Sequence, residues 1–181
     1  IPNASEACFS IESLMDNIHL RLQRLIITKD DSKESKQAYE YLSAEFKPAL
    51  EEISNWCHSK LRYVGESIAQ ILGKEERTLS PSDYGFHNCL RGTDGRLLFY
   101  DFEYFGWDDP AKMVCDFILH PAMNLDMNLK RRFLAKVLEN LNANYSLKMR
   151  VERLYPFFGL KWCLILLNIF LPQYTSQRYS V

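Results

Sequence analysis

"SPSDYGFHNCLRGTDGRLLFYDFEYFGWDDPAKMVCDF", residues 80–117, is the stretch on which the reading of this chain turns. Its middle, Cys89-Leu90-Arg91, then Gly92-Thr93-Asp94-Gly95, then Arg96 to Phe102, reads as two short strands around a turn. Asp94-Gly95 supplies residues that accept the positive φ such hairpins need. An antiparallel pair returns the chain to its starting side. Asp83 and Asn88 precede the hairpin and Asp101 follows it, so the three are expected to converge at one end. Beyond them, Asp109 followed by Pro110 reads as a helix start, an acidic N-cap and then a proline at the first position. Met113, Val114, Phe117 and Ile118 of that helix are expected to face inward.

Two carboxylates and an amide carbonyl are hard oxygen ligands. They suit Mg²⁺, which takes one or two carboxylates and fills its shell with water and substrate phosphates. A third group within reach can accept a proton from an attacking hydroxyl. One Asp facing the acceptor, an Asn on the metal and a later Asp on the metal are the parts of a phosphoryl-transfer site.

Outward from this stretch the pattern is helical. Ile11, Leu14, Met15, Ile18, Leu22, Leu25 and Ile26 recur at steps of three and four. TKDDSKES, from Thr28, breaks that pattern as a loop. A second helix is expected over Lys33–Phe46, with Tyr39, Leu42 and Phe46 on one face. Pro48 suits the first turn of a third, carrying Leu50, Ile53, Trp56, Leu61, Val64, Ile68, Ile71 and Leu72, with Gly73 as its end signal. After the Asp109 helix come helices from Leu129 to about Tyr145 and from Tyr155 to Leu171. Trp162, Leu160, Leu164, Ile165 and Leu167 are expected in the core. The fold class is therefore mainly α (α+β), one domain over 1–181: helical 1–79, loops and hairpin 80–109, helical 110–181.

Composition narrows the function. A chain of 181 residues with 47% hydrophobic and 13% aromatic content can bury a core. A net charge of −1 supplies no basic face for nucleic acid. The apolar run Phe157–Leu171 is interrupted by Lys161 and Asn168 and is shorter than the roughly 20 residues of a bilayer span, so no membrane partner is expected. Five cysteines without a CxxC read as reduced thiols, and with no signal-peptide pattern a cytoplasmic location is expected.

The segment resembles the catalytic core of the aminoglycoside phosphotransferase and choline kinase-like family, relatives of the protein kinases. That family's loop has the form H-G-D-x-x-x-x-N, followed by a hairpin, I-D-[FW]-E, then G-D-P and a helix bearing an Asp. Here stand Asp83 and Asn88, Tyr100-Asp101-Phe102-Glu103, Gly106-Trp107-Asp108-Asp109-Pro110, and Asp116. Pro81-Ser82 replace the family's His-Gly, whose role is mainly to position the loop. The resemblance implies a helical C-terminal lobe of a kinase-like fold, acting with ATP and Mg²⁺ on a hydroxyl of a small molecule. It implies that Asp83 is the catalytic residue, that Asn88 and Asp101 bind the metal bridging the nucleotide, that Glu103 adds to the metal environment, and that Asp116 braces the loop. No Gly-rich phosphate loop and no strand Lys paired with a helix Glu is found. The nucleotide-gripping N-terminal lobe is thus expected to be the partner, outside these residues, which suits a chain that starts at Ile1.

Other readings remain beside this one. A binding or regulatory module of pseudokinase type would carry the same loops without transferring phosphate. Cys57-His58, His87, Cys89, Cys115 and His120 match no zinc spacing. His87, beside Asn88 in the loop, reads as a loop-packing or solvent-facing residue ahead of a catalytic one, and Asp109 as a helix cap ahead of a ligand. Tyr104, Phe105 and Trp107 read as acceptor-pocket or core residues.

Overall fold

The computed structural model describes residues 1–27, 32–141 and 145–171. Its architecture is mainly helical with two small antiparallel sheets. The chain divides into two compact units, Ile1–Phe9 with Ile71–Phe158, and Ser10–Gln70 with the residues from Gly159 onward.

The second unit holds the first three helices. α1 (Ile11–Ile27) buries Ile11, Leu14, Ile18, Leu22 and Leu25, the stripe its periodicity predicts. Ser10 starts it: its Oγ accepts the backbone N–H of Ser13 at 3.0 Å, and the Ser13 hydroxyl accepts the N–H of Ser10 at 3.3 Å. This reciprocal pair satisfies two donors that the first turn leaves open. Of the loop expected after α1, residues 28–31 lie outside the described residues, Ser32 caps the next helix, and Lys33, Glu34 and Ser35 form its first turn.

Pro48 stands in the first turn of the third helix, as expected, but no loop precedes that helix. α2 (Lys33–Tyr41) runs through a π-helical turn, Leu42–Phe46, into α3 (Lys47–Val64), with helical backbone at every junction. The N–H of Lys47 reaches back to the carbonyl of Leu42, one residue beyond the α-helical partner. The wider turn just ahead of Pro48 makes room where a proline ring and its missing N–H would break a regular α-helix. Gly73 does not end α3. Gly65, at φ 73°, takes the left-handed cap, and the N–H of Glu66 closes back on Leu61 at 2.9 Å. Ile68, Ile71 and Leu72 therefore lie beyond the helix, and Trp56 and Val64 are exposed.

In the first unit β2 (Cys89–Arg91) pairs with β3 (Leu97–Phe99) in the register Cys89–Phe99, Leu90–Leu98, Arg91–Leu97. The connection is longer than a two-residue turn, and Gly95 alone takes positive φ there, at 82°. A second pair was not foreseen. β1 (Thr78–Ser80), whose first two residues fall in the part expected to be helical, pairs with β4 (Gly106–Asp108). The N-terminal residues reach the other edge of β4: Ala4 donates to Trp107 at 2.9 Å, and Trp107 donates to Pro2 at 2.9 Å.

α4 (Pro110–Leu119) starts as expected, with Asp109 accepting the N–H of Ala111 at 2.8 Å and Val114, Phe117 and Ile118 buried. α5 (Met127–Asn140) is capped by Asp126, two residues earlier than expected, and residues 142–144 of its expected end lie outside the described residues. α6 (Tyr145–Leu166) begins ten positions before Tyr155 and carries Pro156 in its interior. With the 3₁₀ turn after it, Ser146–Phe170 is 25 residues, long and apolar enough to span a membrane by length and composition alone. That removes the length argument from the sequence. Phe157, Phe158 and Leu164 are buried in protein, as is Lys161 at 3% exposure. Trp162, Ile165 and Leu167 are only partly buried.

Candidate functional site

The site begins where β1 ends. Ser82 stands at φ 66°, and the N–H of Asp83 turns back to the carbonyl of Pro81 at 2.9 Å. A three-residue turn with a non-glycine at positive φ is held only where its surroundings dictate it. Here Ser80 Oγ accepts the N–H of Ser82 at 3.0 Å, Ser82 Oγ donates to the Ser5 carbonyl at 3.2 Å, and Lys112 Nζ donates to Ser82 Oγ at 3.2 Å. The loop bearing Asp83 is thus fastened at the residue before it.

Lys112 comes from the α4 face that also carries buried apolar side chains, yet its ammonium is paired. Asp108 Oδ2 lies 2.8 Å away and Asp116 Oδ2 3.2 Å away. Burial alone would drive the ammonium toward its neutral form. The two carboxylates more than offset that and hold it above the usual lysine range. Asp116 therefore reaches the loop through Lys112, with Ser82 at the far side of the same nitrogen. It also acts on Tyr84, whose hydroxyl pKa is raised by burial and then by the Asp116 charge. Tyr84 stacks on Phe117 at 5.0 Å, which fixes the other side of the loop. Asp109 is both cap and ion-pair partner, 2.7 Å from Arg150.

After Asp83 a short 3₁₀ turn, Phe86–Asn88, leads into the hairpin. Asn88 Nδ2 donates to the backbone carbonyl of Asp83 at 3.0 Å. That bond sets the amide orientation and leaves Oδ1, the ligand atom, without a partner among the described residues. The hairpin then returns the chain: the N–H of Tyr100 donates to the Asn88 carbonyl at 3.1 Å, and the Tyr100 hydroxyl to the His87 carbonyl at 3.2 Å. Asp101 follows directly, at φ 65° and exposed, as Glu103 is. The Tyr104 hydroxyl pKa is raised, first by its hydrogen bond to Glu103 and by that carboxylate's charge, and further by Asp101 and Asp83. One phenol thus senses all three carboxylates. The hairpin end sets Tyr100 beside Asn88, and Asp101 is the next residue along the chain. Asp101 and Glu103 do not, however, join a close cluster with Asp83.

The close cluster is a different one. Among the described residues, the side chains of Asp83, His87 and His120 form a group of metal-ligating type with ligand atoms within 4.8 Å of one another. His87 Nε2 lies 3.1 Å from Asp83 Oδ1, His120 Nε2 lies 3.8 Å from the same oxygen, and the two rings stack with centroids 4.1 Å apart. The sequence reading gave His87 a loop-packing or solvent-facing role and named His120 only among residues that match no zinc spacing. The available signals were the i, i+4 spacing of Asp83 and His87 and the His120-Pro121 pair at the end of α4. All five cysteines are free thiols, and none belongs to this cluster. Tyr104, Phe105 and Trp107 are partly exposed along the segment after Asp101.

Asn88 Oδ1 and the exposed carboxylates of Asp101 and Glu103 fit Mg²⁺ by donor type, since all are hard oxygens and two are anionic. Compared with models of known protein families, with characterised proteins and with solved structures, the chain matches none.

Proposed function

We propose that this chain is the acceptor-side, metal-bearing lobe of a phosphotransferase of the aminoglycoside phosphotransferase and choline kinase-like class. It would move the terminal phosphate of ATP to a hydroxyl of a small molecule. The observation that carries this reading is the Asn88 to Asp83 hydrogen bond: it holds the amide of Asn88 through Nδ2 and leaves Oδ1 without a partner among the described residues, at the hairpin end that Asp101 follows.

Asp83 would orient the acceptor hydroxyl and take its proton. Asn88 and Asp101, with Glu103 beside them, would hold Mg²⁺. When bound, Mg²⁺ supplies neutralisation of the phosphate charge. Most of the catalysis would come from positioning, and the loop is built for it: Ser82 is fastened by Ser80, Ser5 and Lys112. Those contacts supply the loop positioning that Pro81-Ser82, in place of His-Gly, would otherwise leave open. Asp101 at positive φ adds support, because strain in a non-glycine residue concentrates at functional positions. Leu90, Leu97, Leu98 and Phe99 of the hairpin are exposed, an apolar surface of the kind that a second, nucleotide-gripping lobe would cover.

The experiment is a thermal-shift titration of the natural full-length protein with ATP, with and without Mg²⁺. The reading predicts stabilisation that requires both, lost in Asp101→Asn. A shift by ATP that ignores Mg²⁺ and Asp101 would favour the binding-module reading, and no shift at all would remove both.

A further inference from the structure

The cluster of Asp83, His87 and His120 has the ligand types of a transition-metal site, but its proton positions argue for another role. The backbone N–H of Ala122 donates to His120 Nδ1 at 3.1 Å. An N–H only donates, so Nδ1 carries the lone pair and the neutral ring has its proton on Nε2, the atom aimed at Asp83. A metal at that Nε2 would need the lone pair there. His87 Nε2 faces the same carboxylate oxygen at 3.1 Å, and a carboxylate only accepts, so this nitrogen is protonated too. His87 Nδ1 is buried with no hydrogen-bond partner, and a Cβ on Gly85 would stand 2.8 Å from it. A proton placed there would find no acceptor.

We propose that His87 and His120 are positioning residues that clamp Asp83: His87 donates to Oδ1, His120 backs its ring and approaches the same oxygen, and Oδ2 is left as the proton-accepting atom. This rests on the phosphotransfer reading above. Asp83 Oδ2 has no hydrogen-bond or ion-pair partner among the described residues. In the reaction the acceptor oxygen forms its bond to the terminal phosphorus while its O–H bond breaks and the proton moves to Oδ2. The bond from phosphorus to the bridging oxygen breaks, and the nucleoside diphosphate leaves with that electron pair. A carboxylate free to rotate would offer either oxygen. One held at Oδ1 presents the other in a constant direction, which is the gain that orientation brings to proton transfer.

The clamp is tested without any assay of activity by long-range proton–nitrogen correlation NMR on the chain labelled with ¹⁵N-histidine. The expected result at neutral pH is an Nε2–H tautomer for both rings, with the Nε2 resonances unmoved by one equivalent of Zn²⁺. An Nδ1–H tautomer in either ring, or Zn²⁺ shifts at both Nε2 atoms, overturns the clamp in favour of a metal site. A second arm uses the natural full-length protein, with ATP as donor and water as acceptor. His87→Ala is expected to lower kcat about tenfold or more at unchanged KM for ATP, and His87→Gln, which retains an N–H donor, to restore most of it. A change in KM instead, or no rescue by glutamine, overturns the positioning role. Absence of turnover in the unaltered protein would sink the phosphotransfer reading, and with it the role given to Oδ2, while the NMR result still decides whether the clamp exists.

Discussion

The ammonium of Lys112 lies 3.2 Å from the hydroxyl oxygen of Ser82, the residue directly before Asp83. The same nitrogen is 2.8 Å from Asp108, whose side chain is fully buried. A buried ion pair adds little over an apolar replacement of both partners, but removing one partner strands the other charge. Lys112→Met is therefore expected to cost about 3–5 kcal/mol in urea unfolding. Adding Asp108→Asn should recover part of that loss. A single-variant cost below about 1 kcal/mol would show that the pair does not hold the loop.

Asp101, at φ 65°, separates stability from function. Glycine adopts this backbone without penalty, so Asp101→Gly is expected to leave the thermal midpoint unchanged or raise stability by up to about 1 kcal/mol. The same variant should abolish the Mg²⁺-dependent response to ATP. Loss of stability and response together, in calorimetry and titration, would contradict the idea that the strain serves a ligand.

Gly106 is required by close approach. A Cβ there would meet the Ala4 nitrogen and the Asn3 carbonyl carbon at 2.5 Å and the Pro2 oxygen at 2.6 Å. These are backbone atoms that cannot rotate away. Gly106→Ala is expected to cost about 1–3 kcal/mol and to free the amides of Ala4 and Trp107, which pair this edge. Hydrogen exchange should show faster exchange at both. Unchanged protection would place the N-terminal segment elsewhere.

His120 gives the fold a dependence on pH. Burial and then the neighbouring His87 lower its pKa, while Asp83 and Asp116 pull the other way without prevailing. The folded state thus binds fewer protons at this ring than the unfolded chain. Its stabilising contribution is complete above the unfolded value of about 6.5 and is lost as pH falls toward the folded one. The urea midpoint is expected to drop between about pH 7.5 and pH 5.5. His120→Asn, which keeps an acceptor for Ala122, should flatten the drop. A slope unchanged in the variant would assign it to other groups.

What could be read in the sequence was local. The α1 stripe, the hairpin around Gly95 and the Asp109-Pro110 cap each lie within a few neighbouring residues, and each formed as its chemistry dictates. Pro48 marked the first turn of α3 correctly, but the π turn that joins it to α2 without a break leaves no sign in the residue pattern. Gly73 misled because Gly65, eight positions earlier, could supply the left-handed cap. The pairing of Thr78–Ser80 with Gly106–Asp108 is long-range, and neither three-residue strand shows a period. In the site, the motif picked out Asp83, Asn88 and Asp101, and the hairpin pairs Tyr100, the residue before Asp101, with Asn88. The stacked His87 and His120 and the buried Lys112 could not be read, because each depends on α4 packing beside the loop.

The central claim is phosphoryl transfer supported by Asp83 and Asp101. It is tested most directly by the release of labelled phosphate from γ-labelled ATP by the natural full-length protein, in Mg²⁺, beside Asp83→Asn and Asp101→Asn. The account predicts Mg²⁺-dependent turnover that falls by about a hundredfold or more in each variant. Turnover retained in both variants would contradict it.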